Sequence, residues 1–183
     1  MTSESTEATG GDADEFEHSA REHADELGTL RPRDRIAVAC RGSANPAALA
    51  WLAEGLELDR HSLVVDLGAG LGGPTAWMAQ HYGCTVVALE PAPSAAAAMS
   101  DLFAPAVVIG DAEHPPFRSN AADAALLLGV LSVVSQPELS LIEAHRLAAR
   151  VDVLDYCSTG PDAVEAGGSL FPTPDDLERW TRG

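Results

Sequence analysis

The sequence contains no lysine, because all 11 of its basic residues are arginine in a chain of 183 residues. Lysine Schiff-base chemistry is therefore excluded, and so is a phosphate-binding loop that depends on a lysine. Basic residues as a whole are few, since 28 acidic residues give a formal net charge of −17. A chain of this charge repels a phosphate backbone, so we expect no nucleic-acid partner.

The cysteines and histidines also lack a metal-binding pattern. Cys40, Cys84 and Cys157 are scattered without a CxxC pair, a pattern that fits neither a disulfide framework nor a zinc site. His18 and His23 are five residues apart, a spacing that does not put both on one face of a helix. We therefore predict no metal site.

Long apolar segments are missing as well. The longest nearly apolar run covers residues 121–134, is interrupted by Asp123 and is too short to span a bilayer. The amino terminus lacks the basic region and apolar stretch that a secretory signal requires. These absences predict a cytoplasmic protein with no membrane partner.

The composition of the remaining chain suits one folded domain. Apolar residues make up 46% of the sequence, which is enough for a sizeable core. Residues 1–15 are acidic, polar and glycine-bearing, which indicates a disordered tail. We expect a single domain over residues 16–183, with a weakly amphipathic helix at its start.

Short apolar runs then alternate with helical segments. The predicted strands are Leu63–Leu67, Val86–Leu89, Ala106–Ile109, Ala124–Leu128 and Val151–Leu154. The predicted helices are one that Asn45 caps and Pro46 begins, followed by Pro74–His81, Ser94–Phe103 and Pro137–Ala149. Near-continuous apolar strands separated by helices indicate an α/β fold, a doubly wound and mostly parallel sheet covered on both faces.

A glycine-rich turn follows the first predicted strand. The segment LVVDLGAGLGGP, residues 63–74, runs from strand to turn to helix, and glycines in such a turn let a ligand approach the backbone. The spacing Gly68-x-Gly70-x-x-Gly73 also fits a dinucleotide-binding fingerprint, which by itself is a weak signal.

Three carboxylates help to decide which type of cofactor such a turn could hold. Asp66 lies two residues before the first glycine, where it can bind an ammonium group and would repel a pyrophosphate. Glu90 ends the next strand, where it can accept both hydroxyls of a ribose. Asp111 follows the third strand and can accept from an adenine amino group. Together they favour a ligand with an ammonium, a ribose and an adenine but no phosphate.

These motifs resemble those of the class I S-adenosylmethionine-dependent methyltransferases, especially the small-molecule group called methyltransferase type 11. VVDLGAGLGG is similar to their first motif and VVALEP to their second. GDAEHPPFRSNAADAALLLGVL is similar to their third and fourth motifs, and LIEAHRL resembles the helix before their fifth strand. The resemblance covers about residues 41–155, which would form the cofactor-binding core.

The resemblance implies S-adenosylmethionine as cofactor and a Rossmann-like sheet of about five strands in the order 3-2-1-4-5. The implied cofactor ligands are Asp66 for the amino group, Gly68 and Gly70 beneath the cofactor, Glu90 for the ribose, Asp111 and Ala112 for adenine, and Gly129 near the sulfonium. The catalytic residues are unassigned. Asp155 and Tyr156 follow the fifth strand and are weak candidates for a general base.

The chain departs from the family pattern after Asp155, where 28 residues remain and the antiparallel strand hairpin that usually completes the sheet is not evident. The fifth strand would then be an open edge, which a homodimer could cover. The predicted function is in-line methyl transfer to an unidentified small molecule. The alternatives are a methyltransferase-like binding protein without turnover and an NAD-binding oxidoreductase.

Overall fold

The computed structural model describes residues 9–160, 162–166 and 169–181. Its strands are β1 (Leu63–Leu67), β2 (Thr85–Glu90), β3 (Ala106–Ile109), β4 (Ala124–Leu128), β5 (Arg150–Leu154), β6 (Val164–Ala166) and β7 (Ser169–Phe171). Its helices are α1 (Thr9–Thr29), α2 (Pro32–Ala39), α3 (Pro46–Gly55), α4 (Gly73–Tyr82), α5 (Pro93–Phe103), α6 (Pro137–Leu147) and α7 (Pro174–Thr181), with a short 3₁₀ turn at Gly42–Ala44.

Strands β1 to β5 form a parallel sheet in the order β3-β2-β1-β4-β5. The predicted α/β fold, strand order and parallel arrangement are therefore confirmed. The central strands β1 and β4 are almost entirely buried, as expected for apolar runs that are covered on both faces. Consecutive side chains of β1 divide between two cores, with Val64 in one and Val65 and Leu67 in the other.

The amino-terminal helix is longer than the sequence suggests. Helix α1 begins at Thr9, before the predicted domain start at residue 16, so residues 9–15 of the predicted tail are helical. Residues 1–8 lie outside the described residues. Helix α1 packs along α5, and it buries Ala20 and Leu27. The Ser94 hydroxyl at the start of α5 donates to the Glu17 carbonyl oxygen, 3.4 Å away.

The carboxyl-terminal region requires a correction. The sequence predicts no antiparallel hairpin after the fifth strand, whereas β6 and β7 form one. Its strands have three residues each, too few to give an apolar pattern, and it forms a separate two-stranded sheet. Within the described part of the chain, β5 pairs with β4 alone, so the hairpin does not extend the main sheet. Among the described residues, no helix is both long and apolar enough to cross a membrane.

Candidate cofactor-binding site

The glycine turn joins β1 to α4 and is fixed to the neighbouring strand. The backbone N–H groups of Gly68 and Ala69 donate to the Leu89 carbonyl oxygen, at 2.8 and 3.0 Å. Gly70 has a φ of +57°, and a Cβ placed on it would have no atom within 4 Å. The space above Gly70 is therefore open, and a ligand can approach the backbone there.

Asp66 lies on β1, two residues before Gly68, with one carboxylate oxygen unpaired. Its side chain is buried, and Oδ2 accepts a hydrogen bond of 2.5 Å from the Thr75 hydroxyl. Oδ1 is also buried and has no hydrogen-bond partner among the described residues. Burial raises the pKa of Asp66 to about 6, the Thr75 hydrogen bond opposes this, and the nearby charge of Glu90 adds to it. A buried acceptor without a partner is costly, so this position favours a cationic hydrogen-bond donor.

Glu90 ends β2 and is bound to the same turn. Its Oε2 accepts from the Gly70 N–H at 2.7 Å, and its Oε1 accepts from the Ala92 N–H at 2.9 Å. Each oxygen of a carboxylate can accept a further hydrogen bond, so capacity for two hydroxyls remains. Burial raises the pKa of Glu90, and Glu17 of α1 adds to the negative charge around it.

The turn after β3 carries the predicted adenine contacts. The Gly110 N–H donates to the Glu90 carbonyl oxygen at 3.2 Å, which holds this turn beside the end of β2. Asp111 is exposed and accepts from the His114 N–H at 2.7 Å, whereas Ala112 is buried. Ligand atoms of Asp111, Glu113 and His114 lie within 4.8 Å of one another. The His114 N–H donates to the Asp111 carboxylate, and the Gln136 N–H donates to the Glu113 carboxylate. These two carboxylates therefore hydrogen-bond to the backbone, as in an ordinary folded turn.

Gly129 follows β4 and lies where two chain segments meet. Its N–H donates to the Leu154 carbonyl oxygen at 2.7 Å, and the Ser43 hydroxyl donates to the same oxygen at 3.2 Å. Gly129 has a φ of +77°, and a Cβ placed on it would lie 3.2 Å from the Ser43 Oγ. The turn at Gly42–Ala44 therefore borders the carboxyl ends of β4 and β5.

The two weak candidates for a general base differ in their surroundings. Asp155 Oδ1 accepts from the Ser132 hydroxyl at 2.9 Å and from the Tyr156 N–H at 2.8 Å. Its Oδ2 accepts from the Ser132 N–H at 3.2 Å. Asp155 is thus engaged in holding the loop after β4. Tyr156 is 54% exposed at the same end of the sheet.

Cys40 is buried and is affected by the charge of Asp66, and it has no nucleophilic character. Burial and, to a smaller extent, the negative charge of Asp66 raise the pKa of the Cys40 thiol to about 12. The thiol therefore stays protonated at neutral pH and acts as a small apolar group.

Three residues near the site were missed from sequence. Thr75 bonds to Asp66, and its position in the first turn of the helix after the glycine turn was an available signal. Ser132 bonds to Asp155 across 23 positions, and Glu17 acts on Glu90 from α1. The last two act over long sequence separations, for which the local sequence carries no signal.

The parallel sheet in the order β3-β2-β1-β4-β5, with helices on both faces, is a Rossmann-like methyltransferase fold. Residues 65–150, a little under half of the chain, match a family model described as a methyltransferase domain, of the methyltransferase type 11 group. The resemblance predicted from the motifs is thereby confirmed. No curated protein matches the chain significantly.

Solved structures with the same fold are numerous, with 403 matching chains. The cyclase SpnF has 22% identity and a TM-score of 0.66, over 78% of this chain and 59% of its own. A geranyl diphosphate C-methyltransferase from Streptomyces coelicolor, solved with Mg²⁺, geranyl diphosphate and S-adenosyl-L-homocysteine, has 14% identity and a TM-score of 0.65, over 81% of this chain and 62% of its own. A methyltransferase from Thermotoga maritima, a possible histamine N-methyltransferase, has 18% identity and a TM-score of 0.57, over 73% of this chain and 66% of its own.

At these identities the solved structures share the fold alone, and the chain spans about three fifths of their length. The family match adds the methyltransferase domain itself. Together they show a Rossmann-like methyltransferase fold with a methyltransferase-domain match over residues 65–150, and they leave the acceptor unspecified.

Proposed function

We propose that this protein transfers a methyl group from S-adenosylmethionine to a small molecule. The observation that carries the proposal is the buried, unpartnered Oδ1 of Asp66, on the strand that leads into a glycine turn with open space at Gly70. Neither NAD nor a nucleoside triphosphate offers an ammonium group to this oxygen, and the Asp66 carboxylate would repel the phosphates of both. A methionine-derived cofactor offers that group and carries no phosphate.

The residues present fit the parts of this cofactor. Asp66 would bind the amino group, and Glu90 would accept the ribose hydroxyls through its remaining lone pairs. Gly68 and Gly70 would form the surface beneath the cofactor. The side chain of Asp111 and the backbone of Ala112 would contact adenine, and Gly129 would border the sulfonium.

S-adenosylmethionine, when bound, supplies a methyl group that is already activated. The chain's own task is then to orient the two reactants and to exclude water, which can account for several kcal/mol of rate enhancement. Asp66 and Glu90 are suited to this because the fold holds both carboxylates in place before a ligand arrives. Asp155 is bound to Ser132, so we expect no proton transfer through it.

Isothermal titration with S-adenosylhomocysteine tests the proposal. We expect binding by the wild type and a loss of at least tenfold in affinity for Asp66→Asn, since a charge-assisted hydrogen bond is lost. Asp152→Asn is a matched control, because Asp152 on β5 also has a raised pKa and an unpartnered buried oxygen. Its affinity should not change. Binding of NAD in place of S-adenosylhomocysteine would contradict the proposal and favour an oxidoreductase.

A binding protein without turnover is a second candidate. The cyclase SpnF has the same fold, so the fold by itself does not require methyl transfer. The two candidates separate when the protein is incubated with a metabolite extract and S-adenosylmethionine labelled at its methyl group. Label in an extract compound, absent from the Asp66→Asn reaction, supports the enzyme. Cofactor binding without labelled product supports the binding protein.

A further inference from the structure

Aromatic and aliphatic side chains form a surface beside the carboxyl end of β5. The rings of Tyr156 and Phe171 meet edge to face, with centroids 6.5 Å apart and an interplanar angle of 68°. Val164 pairs with Phe171 across the β6–β7 hairpin, so the two side chains share one face of it. Tyr156 is 54% and Val164 49% exposed. Tyr156, Val164 and Phe171 are called the hairpin surface below.

The hairpin surface adjoins the proposed cofactor site through one turn. A Cβ placed on Gly42 would lie 3.9 Å from the Tyr156 ring. The next residue, Ser43, approaches Gly129 and donates to the Leu154 carbonyl oxygen. Tyr156 therefore lies against the same turn that borders Gly129, the residue proposed to lie near the transferable methyl group.

Hydrogen bonds hold the hairpin surface in this position. The carboxylate of Asp155 binds the Tyr156 N–H and both the hydroxyl and the N–H of Ser132. The Ser132 carbonyl oxygen in turn accepts from the Leu170 N–H of β7 at 2.7 Å. The loop after β4, the end of β5 and the hairpin are thus connected through Ser132 and Asp155.

The charges of this region limit what the surface can bind. Residues 155–171 contain Asp155, Asp162 and Glu165 and no basic residue, in a chain with a formal net charge of −17. An anion that approached the hairpin surface would find no cationic side chain in this segment. It would also be repelled by the negative field of the whole chain. A cation would be attracted by that field but would gain little at the surface itself, because Asp155 already accepts three hydrogen bonds and Glu165 lies on the opposite face of the hairpin from Val164. An apolar ligand without charge would lose water from both partners at no electrostatic cost.

We propose that the hairpin surface binds the methyl acceptor, and that the acceptor is an uncharged, largely apolar small molecule with an aromatic or similarly planar group. This inference rests on the proposed function, because it identifies the surface as the acceptor side by its position next to Gly129. It assigns Tyr156 a binding role through its ring.

The test compares three naphthalene probes of similar shape and different charge. We would titrate 1-naphthol, 1-naphthoate and 1-naphthylmethylammonium into the protein saturated with S-adenosylhomocysteine and follow saturation-transfer signals by NMR. We expect 1-naphthol to bind at least tenfold more tightly than 1-naphthoate. Equal affinity for 1-naphthol and 1-naphthoate would overturn the assigned ligand class, and so would preferential binding of the cation.

Variants locate the bound probe. Phe171→Ala should weaken 1-naphthol binding at least tenfold, and Tyr156→Phe should leave it within twofold because the ring is retained. Val164→Asp places a charge on the exposed part of the surface and tests the same site without removing the half-buried Phe171. Trp51→Ala is the control, since Trp51 is a 68% exposed aromatic residue on α3.

Two results would overturn the inference while leaving the proposed function intact. In the first, Trp51→Ala weakens 1-naphthol binding, whereas neither Phe171→Ala nor Val164→Asp changes it. The other is self-association of the wild type, seen by sedimentation velocity, that Val164→Asp abolishes, because the surface would then be covered by a second copy. Failure of the wild type to bind S-adenosylhomocysteine would instead refute the proposed function.

Discussion

Asp66 is held in the folded protein in a way that favours its protonated form. Burial raises its pKa from the ordinary value of 3.8 to about 6. The stability that this carboxyl contributes is therefore complete below about pH 4 and is lost as the pH rises through about 6. A rise of about two units corresponds to roughly 3 kcal/mol of unfolding free energy. A residue proposed to bind the cofactor thus destabilises the free protein at neutral pH.

The exchange Asp66→Asn should remove this pH dependence. We expect the free energy of unfolding of the variant, relative to that of the wild type, to rise by up to about 3 kcal/mol between pH 4 and pH 8. Urea denaturation at a series of pH values measures the difference. Asp59→Asn is a control of opposite sign, because backbone N–H groups hold the pKa of Asp59 below its ordinary value. A constant difference between Asp66→Asn and wild type would show that Asp66 titrates normally.

Gly70 offers a second test at the scale of one residue. Gly70→Ala places a methyl group in open space at a φ of +57°, which costs about 1–2 kcal/mol of stability but should preserve the fold. The methyl group would occupy the proposed cofactor surface, so we expect S-adenosylhomocysteine affinity to fall at least tenfold in calorimetry.

Gly83→Ala is a matched control for this substitution. Gly83 has a φ of +68° at the end of α4, and a Cβ placed there would lie 3.8 Å from the Arg60 side chain. The backbone strain is thus similar, but the position lies far along the helix from the glycine turn. Equal loss of cofactor affinity in both variants would mean that strain, and not occupation of the site, causes the loss.

At the scale of elements, Ser132 and Asp155 connect two segments that are distant in sequence. Removal of the carboxylate in Asp155→Ala leaves the Ser132 and Tyr156 N–H groups without their acceptor. We expect a loss of about 1–3 kcal/mol in stability. We also expect faster amide hydrogen exchange at Leu170, because its acceptor Ser132 is no longer held.

The conservative variant Asp155→Asn separates this coupling from a general loss of stability. Its amide oxygen can still accept one hydrogen bond, so exchange at Leu170 should lie between the wild type and Asp155→Ala. Amides of the distant strand β3 report the stability of the rest of the sheet. Unchanged exchange at Leu170 in both variants would mean that the hairpin is held by other contacts.

The elements that the sequence predicted are those with local signals. The strands of the main sheet follow from apolar runs, and the cap of α3 follows from Asn45, whose Oδ1 accepts from two N–H groups of that helix at 3.1 Å. Asp66 and Glu90 could be placed at strand ends because their neighbours in sequence define those ends. The hairpin and the Ser132–Asp155 connection depend on contacts between distant segments, so no local pattern indicates them.

At the scale of the molecule, the outer edge of β5 is the feature that still needs a partner in the described structure. Arg150 and Asp152 lie two residues apart on this strand and therefore share a face. If a second copy paired antiparallel and centred on Val151, Arg150 of each copy would lie opposite Asp152 of the other. We propose this register for the predicted homodimer, because opposite charges then meet directly across the strands.

The net charge of −17 on each copy opposes such a dimer through long-range repulsion. Salt screens this repulsion more strongly than it screens the attraction between adjacent, partly buried opposite charges. We therefore expect sedimentation velocity to detect more dimer at 0.5 M than at 0.05 M sodium chloride, concentrations at which the Debye length is about 4 and about 14 Å. Arg150→Glu should abolish the dimer because it places like charges opposite Asp152. Arg118→Glu, which makes the same change of net charge at an exposed loop position, should not. A monomer at every salt concentration would refute the dimer, and a dimer that survives Arg150→Glu would refute the register.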